Sequence, residues 1–507
     1  MVKRSSPLYR LTAVLIVTVL FCIPAGVSSA ESGFGLADRV VEHRLKNGLT
    51  LLMVERNQAP IVSFTILFRV GGVNETAGST GIAHLYEHLA FKGTKTIGTT
   101  HYRKEAGVLR EMDRVWEDVL REEARGEAAD AERLKDLRQQ FEELQRKSEG
   151  FVVKSEMAEI YERNGGVGMN ASTGKDFTRY VISLPSNRME LWAAIESDRM
   201  KNPVLREFYK ERDVVLEERR LRYDNTPWGK MYEAFIGAAF NAHPYRMPVI
   251  GWEADLKTLT RAKAEAFFEK YYGPDNAVIA IVGDIDPEET IRLVEKYFSK
   301  IKSRTPPTNI EIQEPPQAGE IRVAVEFDAE PEVMIGYHKP DMNHPDDAVF
   351  DVIDGLLSDG RSSILHRKLV TENPLAVDIS TSTGTPGSRY PHLFMIRGTP
   401  RAPHTTGEVE AAVYAELERL KTEPVDPRDL EKVLNRLDAR RIRALESNSG
   451  LSSQLSYFQG VAGDWRYVQN IRELVASVTA EDVMRVAREY FVEKNRVVAT
   501  LVKKEGP

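Results

Sequence analysis

Two stretches far apart in the chain carry the same residues at the same offsets. Thr260 is followed by Tyr271-Tyr272, then Asn276, then Val278-Ile279. Thr479 is followed by Tyr490-Phe491, then Asn495, then Val497-Val498. In both, the aromatic pair begins eleven residues after the Thr and the Asn stands sixteen after it. Internal similarity at roughly half the chain length points to two copies of one unit. Each copy mixes helical and strand texture. In the first, residues 259–272 read as a helix, 273–276 as a turn and 277–282 as a buried strand. The expected fold class is therefore α+β: two homologous α+β domains in tandem, each a sheet covered by helices. Residues 301–319 are rich in Pro, Thr and polar groups and read as the linker between domains at 31–300 and 320–507. The chain has 507 residues, with a hydrophobic fraction of 42% and a charged fraction of 29%, ordinary for a protein with a real core. A net charge of −7 without a basic block argues against nucleic acid.

The first thirty residues differ from the rest. Lys3, Arg4 and Arg10 precede and flank an apolar run over 11–23, and Ser28-Ser29-Ala30 offers small residues before Glu31. This reads as a secretory signal peptide cut after Ala30, which implies export across the inner membrane, most simply to the periplasm. The apolar run is short for a membrane span, and an uncleaved membrane anchor is the alternative. Removing residues 1–30 takes away three cations and no acid, so the formal charge goes from −7 to −10. Cys22 is the single cysteine, so the exported chain has no disulfide and no thiolate ligand. Any metal would rest on His and carboxylate.

Within the first unit, Arg39-Val-Val-Glu-His-Arg-Leu, a turn at Lys46-Asn47-Gly48 and Leu49-Thr-Leu-Leu-Met-Val-Glu predict a pair of strands, with another over 61–70. Residues 103–162 have a different texture, dense in Arg, Glu, Lys and Ala. Leu109, Met112, Trp116 and Val119 recur at helical steps, as do Leu134, Leu137, Phe141 and Leu144, with Gly126 between the runs. This predicts an inserted antiparallel helical hairpin; the alternative is one long solvated helix.

Between these lies Gly81-Ile-Ala-His-Leu-Tyr-Glu-His-Leu-Ala90. On a helix, His84 and His88 stand one above the other, with Glu87 beside them. Two imidazoles and an adjacent carboxylate suit a hydrolytic zinc ion, with nitrogen ligands and a base. The bland reading is a solvated helix bearing two histidines. A third ligand is needed, and the helical segment 205–222 offers Glu211, Glu217 and Glu218. Glu211 and Glu218 share one face, and Glu217 points about 100° away from Glu218. The second unit has no equivalent of the motif, so one metal site is expected.

His84-Leu-Tyr-Glu-His88 followed by Leu-Ala-Phe-Lys-Gly-Thr94 resembles the inverted zinc motif of the pitrilysin/insulysin metallopeptidase family, which includes mitochondrial processing peptidase. Further landmarks follow in order: Gly165-Gly166 with Asn170-Ala171-x-Thr173, Asp176-x-Thr178-x-Tyr180, Glu211-Arg-Asp-Val-Val-Leu-Glu-Glu218, His243-Pro-Tyr245 and Gly283-Asp284. The resemblance implies one Zn2+ per chain on His84, His88 and Glu218. It implies Glu87 as the general base toward the zinc-bound water and Glu211 as an acid that orients the ligands. It also implies peptide substrates that add as a strand along residues 177–184 near Asn170 and Ala171. His88 and Glu218 are separated by 129 residues, about fifty more than the resemblance implies, and the helical insertion accounts for the excess.

One departure is informative. The family's second half offers an Arg and a Tyr, seven residues apart, that bind substrate backbone. The matching positions here are Val370 and Val377. This implies a zinc-bearing subunit that pairs with a homologous chain carrying the missing pair; local substitution by Arg367 is the alternative. A catalytically silent scaffold subunit of an envelope complex that keeps its zinc site is the rival to a zinc endopeptidase.

Overall fold

The structure is a computed structural model that describes residues 35–304 and 309–503. The expected signal peptide and four linker residues, 305–308, lie outside them. Among the described residues, no helix is long and apolar enough to cross a membrane.

The first half builds a six-stranded sheet from β1 (Val40–Arg44), β2 (Thr50–Glu55), β3 (Ile61–Phe68), β4 (Val167–Thr173), β5 (Thr178–Pro185) and β6 (Ala277–Gly283). Its order is β1-β2-β6-β3-β5-β4, and β2 with β6 is its parallel pair. The second half builds β7 (Ile321–Phe327), β8 (Glu332–Lys339), β9 (Ala376–Thr385), β10 (His392–Pro400) and β11 (Arg496–Lys503) into the order β7-β11-β8-β10-β9. Its parallel pair is β7 with β11. Apart from β1, the second sheet repeats the connectivity of the first. The repeated residues now have a physical role. The Thr260 hydroxyl accepts the Lys263 N–H at 3.3 Å and so caps a helix, and the Asn276 amide donates to the Tyr271 carbonyl at 2.8 Å to start β6. Thr479 accepts from the Asp482 N–H at 3.2 Å, and Asn495 donates to the Tyr490 carbonyl at 2.9 Å before β11.

The helices that shape the site are α1 (Ile82–Leu89), α2 (Tyr102–Glu123), α3 (Ala131–Glu149), α4 (Glu156–Arg163), α5 (Met189–Lys201), α6 (Phe208–Arg219) and α7 (Pro227–Ala239). β3 alternates between two buried faces. Phe64, Ile66 and Phe68 join the core under α1 and α5, where Phe64 stacks on Trp192 at 4.3 Å. Thr65 faces the other way, its hydroxyl 3.0 Å from that of Ser452 on the helix Asn448–Val461 of the second half. Leu451 and Leu455 of that helix are buried with Leu52, Val54, Val278 and Val282 of the first sheet. In return, Met231 and Phe235 of α7 are buried with Met334, Val497 and Leu501 of the second sheet. Each half thus covers a sheet face of the other. A fully buried Leu or Phe contributes about 1.5–3 kcal/mol, so this exchange is a major part of what holds the halves together.

The insertion folds back on itself at Gly126, whose φ is 57°. α2 buries Val108, Leu109, Met112, Val115 and Val119, whereas α3 buries mainly Phe141 and Leu144. The stretch also contains the short α4, which the two-helix expectation omits. Trp116 and Phe141 close on Tyr209 of α6, with ring centroids 5.3 and 5.1 Å away. Glu105 of α2 and Arg206, both fully buried, form an ion pair at 2.8 Å. Arg206 also donates to the carbonyls of Lys92, Thr94 and Ile97 in the loop after α1. One face of the insertion is thus part of the core that carries the site.

The expected substrate edge over 177–184 is corrected. β5 is interior, paired with β3 on one side and β4 on the other. The edge is β4. Its sequence Val-Gly-Met-Asn-Ala-Ser-Thr alternates only weakly, through Val167, Met169 and Ala171, with Val167 62% exposed and Gly168 at φ 67°, so the pattern that announces a half-buried strand is faint.

Removing one partner of the Glu105–Arg206 pair leaves a buried charge without its counter-charge. Glu105→Ala is expected to cost about 3–5 kcal/mol in denaturant unfolding. Arg114→Ala, at a residue whose side chain is 68% exposed on the same helix, is expected to change stability by less than about 1 kcal/mol.

Candidate metal centre

α1 is only eight residues long, and its start is held from outside. The Glu75 carboxylate accepts the N–H groups of Gly81 and Ala83, both at 2.8 Å. The Asp255 carboxylate accepts from the Thr80 N–H at 3.1 Å, its hydroxyl at 2.6 Å and the Gly78 N–H at 3.1 Å. Acceptor oxygens at a helix N-terminus satisfy its free amides. Burial pushes Glu75 up to about 8, and the two amides and Lys175 pull it down. Gly81 has φ 84°, and a Cβ there would stand 2.5 Å from the Ile250 carbonyl, so this turn needs glycine.

From this anchored helix, His84 and His88 present rings with centroids 4.9 Å apart at 71°. One oxygen of Glu218, Oε2, stands 3.8 Å from His84 Nε2 and 3.5 Å from His88 Nε2. These separations exceed an N–H···O hydrogen bond, which runs about 2.7–3.2 Å. They approach the spacing of about 3.3 Å between two ligands that each lie about 2.0–2.1 Å from one tetrahedral zinc. Burial pushes His84 down to about 4, so its ring is neutral, and its Nδ1 is buried without a hydrogen-bond partner. Glu211 and Glu218 hold His88 up to about 9, which reflects the negative charge gathered around it. Two imidazoles directed at one carboxylate oxygen from beyond hydrogen-bond distance fit a divalent cation among them. Among the described residues, His84, His88 and Glu218 are the one His, Cys, Asp or Glu group arranged to hold a metal.

The surrounding residues orient this set. Glu211, two turns before Glu218 on the same face, places Oε2 3.6 Å from His88 Nδ1 and Oε1 2.5 Å from Lys92 Nζ. Arg222 Nη1 holds the other oxygen of Glu218 at 2.7 Å. Glu217 is half-exposed and pairs with Arg220 at 3.1 Å, away from the histidines. Glu87 accepts a hydrogen bond from the Thr173 hydroxyl of β4 at 2.6 Å, and burial raises its carboxyl above the usual range. Thr173 and Glu75 were not singled out as site residues by sequence. The motif Asn170-Ala171-x-Thr173 contained the first of them, while Glu75 carried no local signal.

A cavity of about 520 Å³ opens beside Glu87 and His88. Asn170 and Ala171 line it from β4, Phe91 from the loop after α1, and Met157 from α4. Ser155 and Glu207, at φ 56° and 54°, are the two non-glycine residues in left-handed backbone among those described, and both line this cavity. Such backbone costs about 1–3 kcal/mol per residue and gathers at functional sites. In the second half, Val370 packs on its own core from the helical turn His366–Glu372, and Val377 lies on β9, 55% exposed. Arg367 faces Glu372 and Asp429 at 3.8 and 4.0 Å.

Two outcomes are expected. Glu218→Gln lowers bound zinc at least tenfold by elemental analysis after dialysis, and Glu217→Gln leaves it unchanged. Glu75→Gln, which keeps the size but replaces one of the two acceptor oxygens by an amide that cannot accept, lowers zinc affinity about 10-fold or more in chelator competition, as loss of an orienting partner does.

Comparison with known proteins agrees with this geometry. A family described as "Insulinase (Peptidase family M16)" matches residues 51–107, and one described as "Peptidase M16 inactive domain" matches residues 258–437. The chain is 30% identical over 455 residues to the zinc protease PqqE of Helicobacter pylori, covering 88% of this chain and 89% of that one. The crystal structure of a protease from Helicobacter pylori aligns with a TM-score of 0.76 at 27% identity, over 91% of this chain and 99% of that chain. A peptidase M16 inactive domain from Pseudomonas fluorescens shares the fold, with a TM-score of 0.72 at 16% identity over 92% of this chain and 98% of that chain. Its sheet order, its inverted His-x-x-Glu-His helix and its full-length likeness to a zinc protease place one conclusion on the chain: it belongs to peptidase family M16, the insulinase family.

Proposed function

We propose that this chain is a zinc-dependent endopeptidase of the bacterial envelope, exported by residues 1–30 and acting on peptides or unfolded segments. The observation that carries this reading is the convergence of His84 Nε2, His88 Nε2 and Glu218 Oε2 beside a buried, hydrogen-bonded Glu87. His84, His88 and Glu218 would hold one zinc ion. When bound, zinc supplies a Lewis acid that lowers the pKa of water and polarises a carbonyl. Glu87 takes the proton of the attacking water and delivers it to the leaving amine. Burial raises its affinity for that proton, and the Thr173 hydroxyl fixes which way its carboxylate points. The free edge of β4 offers backbone N–H and C=O groups, so a substrate strand pairs there without demanding a sequence. Asn170 and Ala171 then border the cavity that receives a side chain next to the cleaved bond.

The partner follows from residues this chain lacks. With Val370 and Val377 where the family carries an Arg and a Tyr, part of the substrate grip comes from a homologous subunit. The same two valines, with a match to an inactive-domain description over 258–437, also favour a second reading. In that reading the chain is a scaffold subunit that keeps its zinc and does no chemistry.

A quenched-peptide assay on the zinc-loaded chain, alone and with its partner, separates the two. Glu87→Gln is expected to lower the rate by about 10²–10⁴ while zinc content stays at the wild-type level. Full zinc occupancy without cleavage of any peptide, partner present, would establish the scaffold reading.

A further inference from the structure

A second cavity, of about 330 Å³, lies where the two halves meet, beside the end of the helix Asn448–Val461. Two guanidiniums line it. Arg69 follows β3, and its Nη2 donates to the Gln459 carbonyl at 3.0 Å. Arg389 precedes β10, and its Nη2 donates to the Gly460 carbonyl at 2.8 Å. Each arginine spends one of its five N–H groups on the end of the crossing helix. Neither forms an ion pair with a carboxylate among the described residues. The wall carries one carboxylate, Asp275, which accepts the Arg304 backbone N–H at 3.1 Å and pairs with neither arginine. Asn74, Asn276, Asn309 and Asn343 add amides to the wall.

The charge is unbalanced. Neither guanidinium has a carboxylate of its own: Asp275 is bonded to the Arg304 amide, Asp176 accepts the Arg389 backbone N–H at 3.1 Å, and the helix C-terminus offers the pair about half a negative charge. Burial, then the nearby Arg389, holds Arg69 below the usual arginine range, which reflects the cost of this arrangement. Protein interiors normally pair such groups. A cavity with room and two forked donors, walled in part by amides, has the chemistry of an oxyanion site, since guanidinium matches phosphate in a two-pronged geometry. Its wall at Asn74 runs directly into Glu75, the residue that caps α1.

We propose that the cavity between the halves binds a phosphate-type oxyanion that bridges Arg69 and Arg389. The group is inorganic phosphate or the phosphoryl group of a larger molecule. This assignment stands independently of the peptidase reading.

Isothermal titration of the zinc-loaded full chain tests it, first with inorganic phosphate and then with glycerol phosphate, at ionic strength fixed with sodium chloride. Saturable one-site binding is expected in the wild type and in Arg114→Gln, which changes net charge far from the cavity. Binding at least tenfold weaker is expected in Arg389→Gln and in Asn343→Asp. The latter sets a negative charge at the exposed rim and keeps both arginines on the crossing helix, so it decides the matter should Arg389→Gln fail to fold. Binding of glycerol phosphate as well as phosphate would mean that the site admits a phosphoryl group on a larger molecule; phosphate alone would mean the free ion. No saturable binding in the wild type, or equal binding in both cavity variants, as phosphate held at the metal centre would give, overturns the proposal.

Discussion

An eight-residue helix cannot by itself hold two imidazoles within a fraction of an ångström, because isolated helices of that length do not persist in water. The site therefore depends on the carboxylate of Glu75, buried under the first turn of α1 and bonded to two of its amides. Those bonds fix where the helix begins, and its start fixes the facing of His84 and His88. Asp255 secures the preceding turn, and the close approach at Gly81 leaves no room for a side chain. At the far end, Arg206 holds the loop after α1 through three carbonyls and is itself neutralised by Glu105. The helix that carries both histidines is thus gripped at both ends by buried polar side chains.

This arrangement gives the inserted hairpin a structural meaning. Its charged outer face suggests a solvated arm, but α2 supplies Glu105 and, with α3, the rings that pack on Tyr209 of α6. α6 carries Glu211 and Glu218, so the hairpin braces both elements that bring His84, His88 and Glu218 together. The segment that returns from it, through Ser155 to Met157, also forms a wall of the cavity beside Glu87. The helical hairpin is thus part of the support of the site.

Some of this was legible in the chain. The i, i+4 spacing of His84 and His88 placed two imidazoles on one helical face without any structure, and the repeated Thr and Asn positions announced the doubled fold. Choosing Glu218 over Glu217 and Glu211 required the family resemblance, because three acids on one helix differ only in what they face once packed. The edge strand was missed because β4 is short of apolar residues and bent at Gly168, whereas β5 has the alternation that reads as a strand. Glu75, Thr173 and the exchange of covering helices were out of reach for a common reason. Each acts through residues distant in sequence, as when Thr65 meets Ser452, and no local periodicity records such a contact.

The central claim is that one zinc ion sits among His84, His88 and Glu218. Diffraction data collected above and below the zinc absorption edge on crystals of the zinc-loaded chain test it most directly. A single strong anomalous peak per chain is expected, about 2.0–2.2 Å from one ring nitrogen of each histidine and from a Glu218 oxygen. A peak elsewhere, or none between these residues in a crystal whose protein retains stoichiometric zinc, would contradict it.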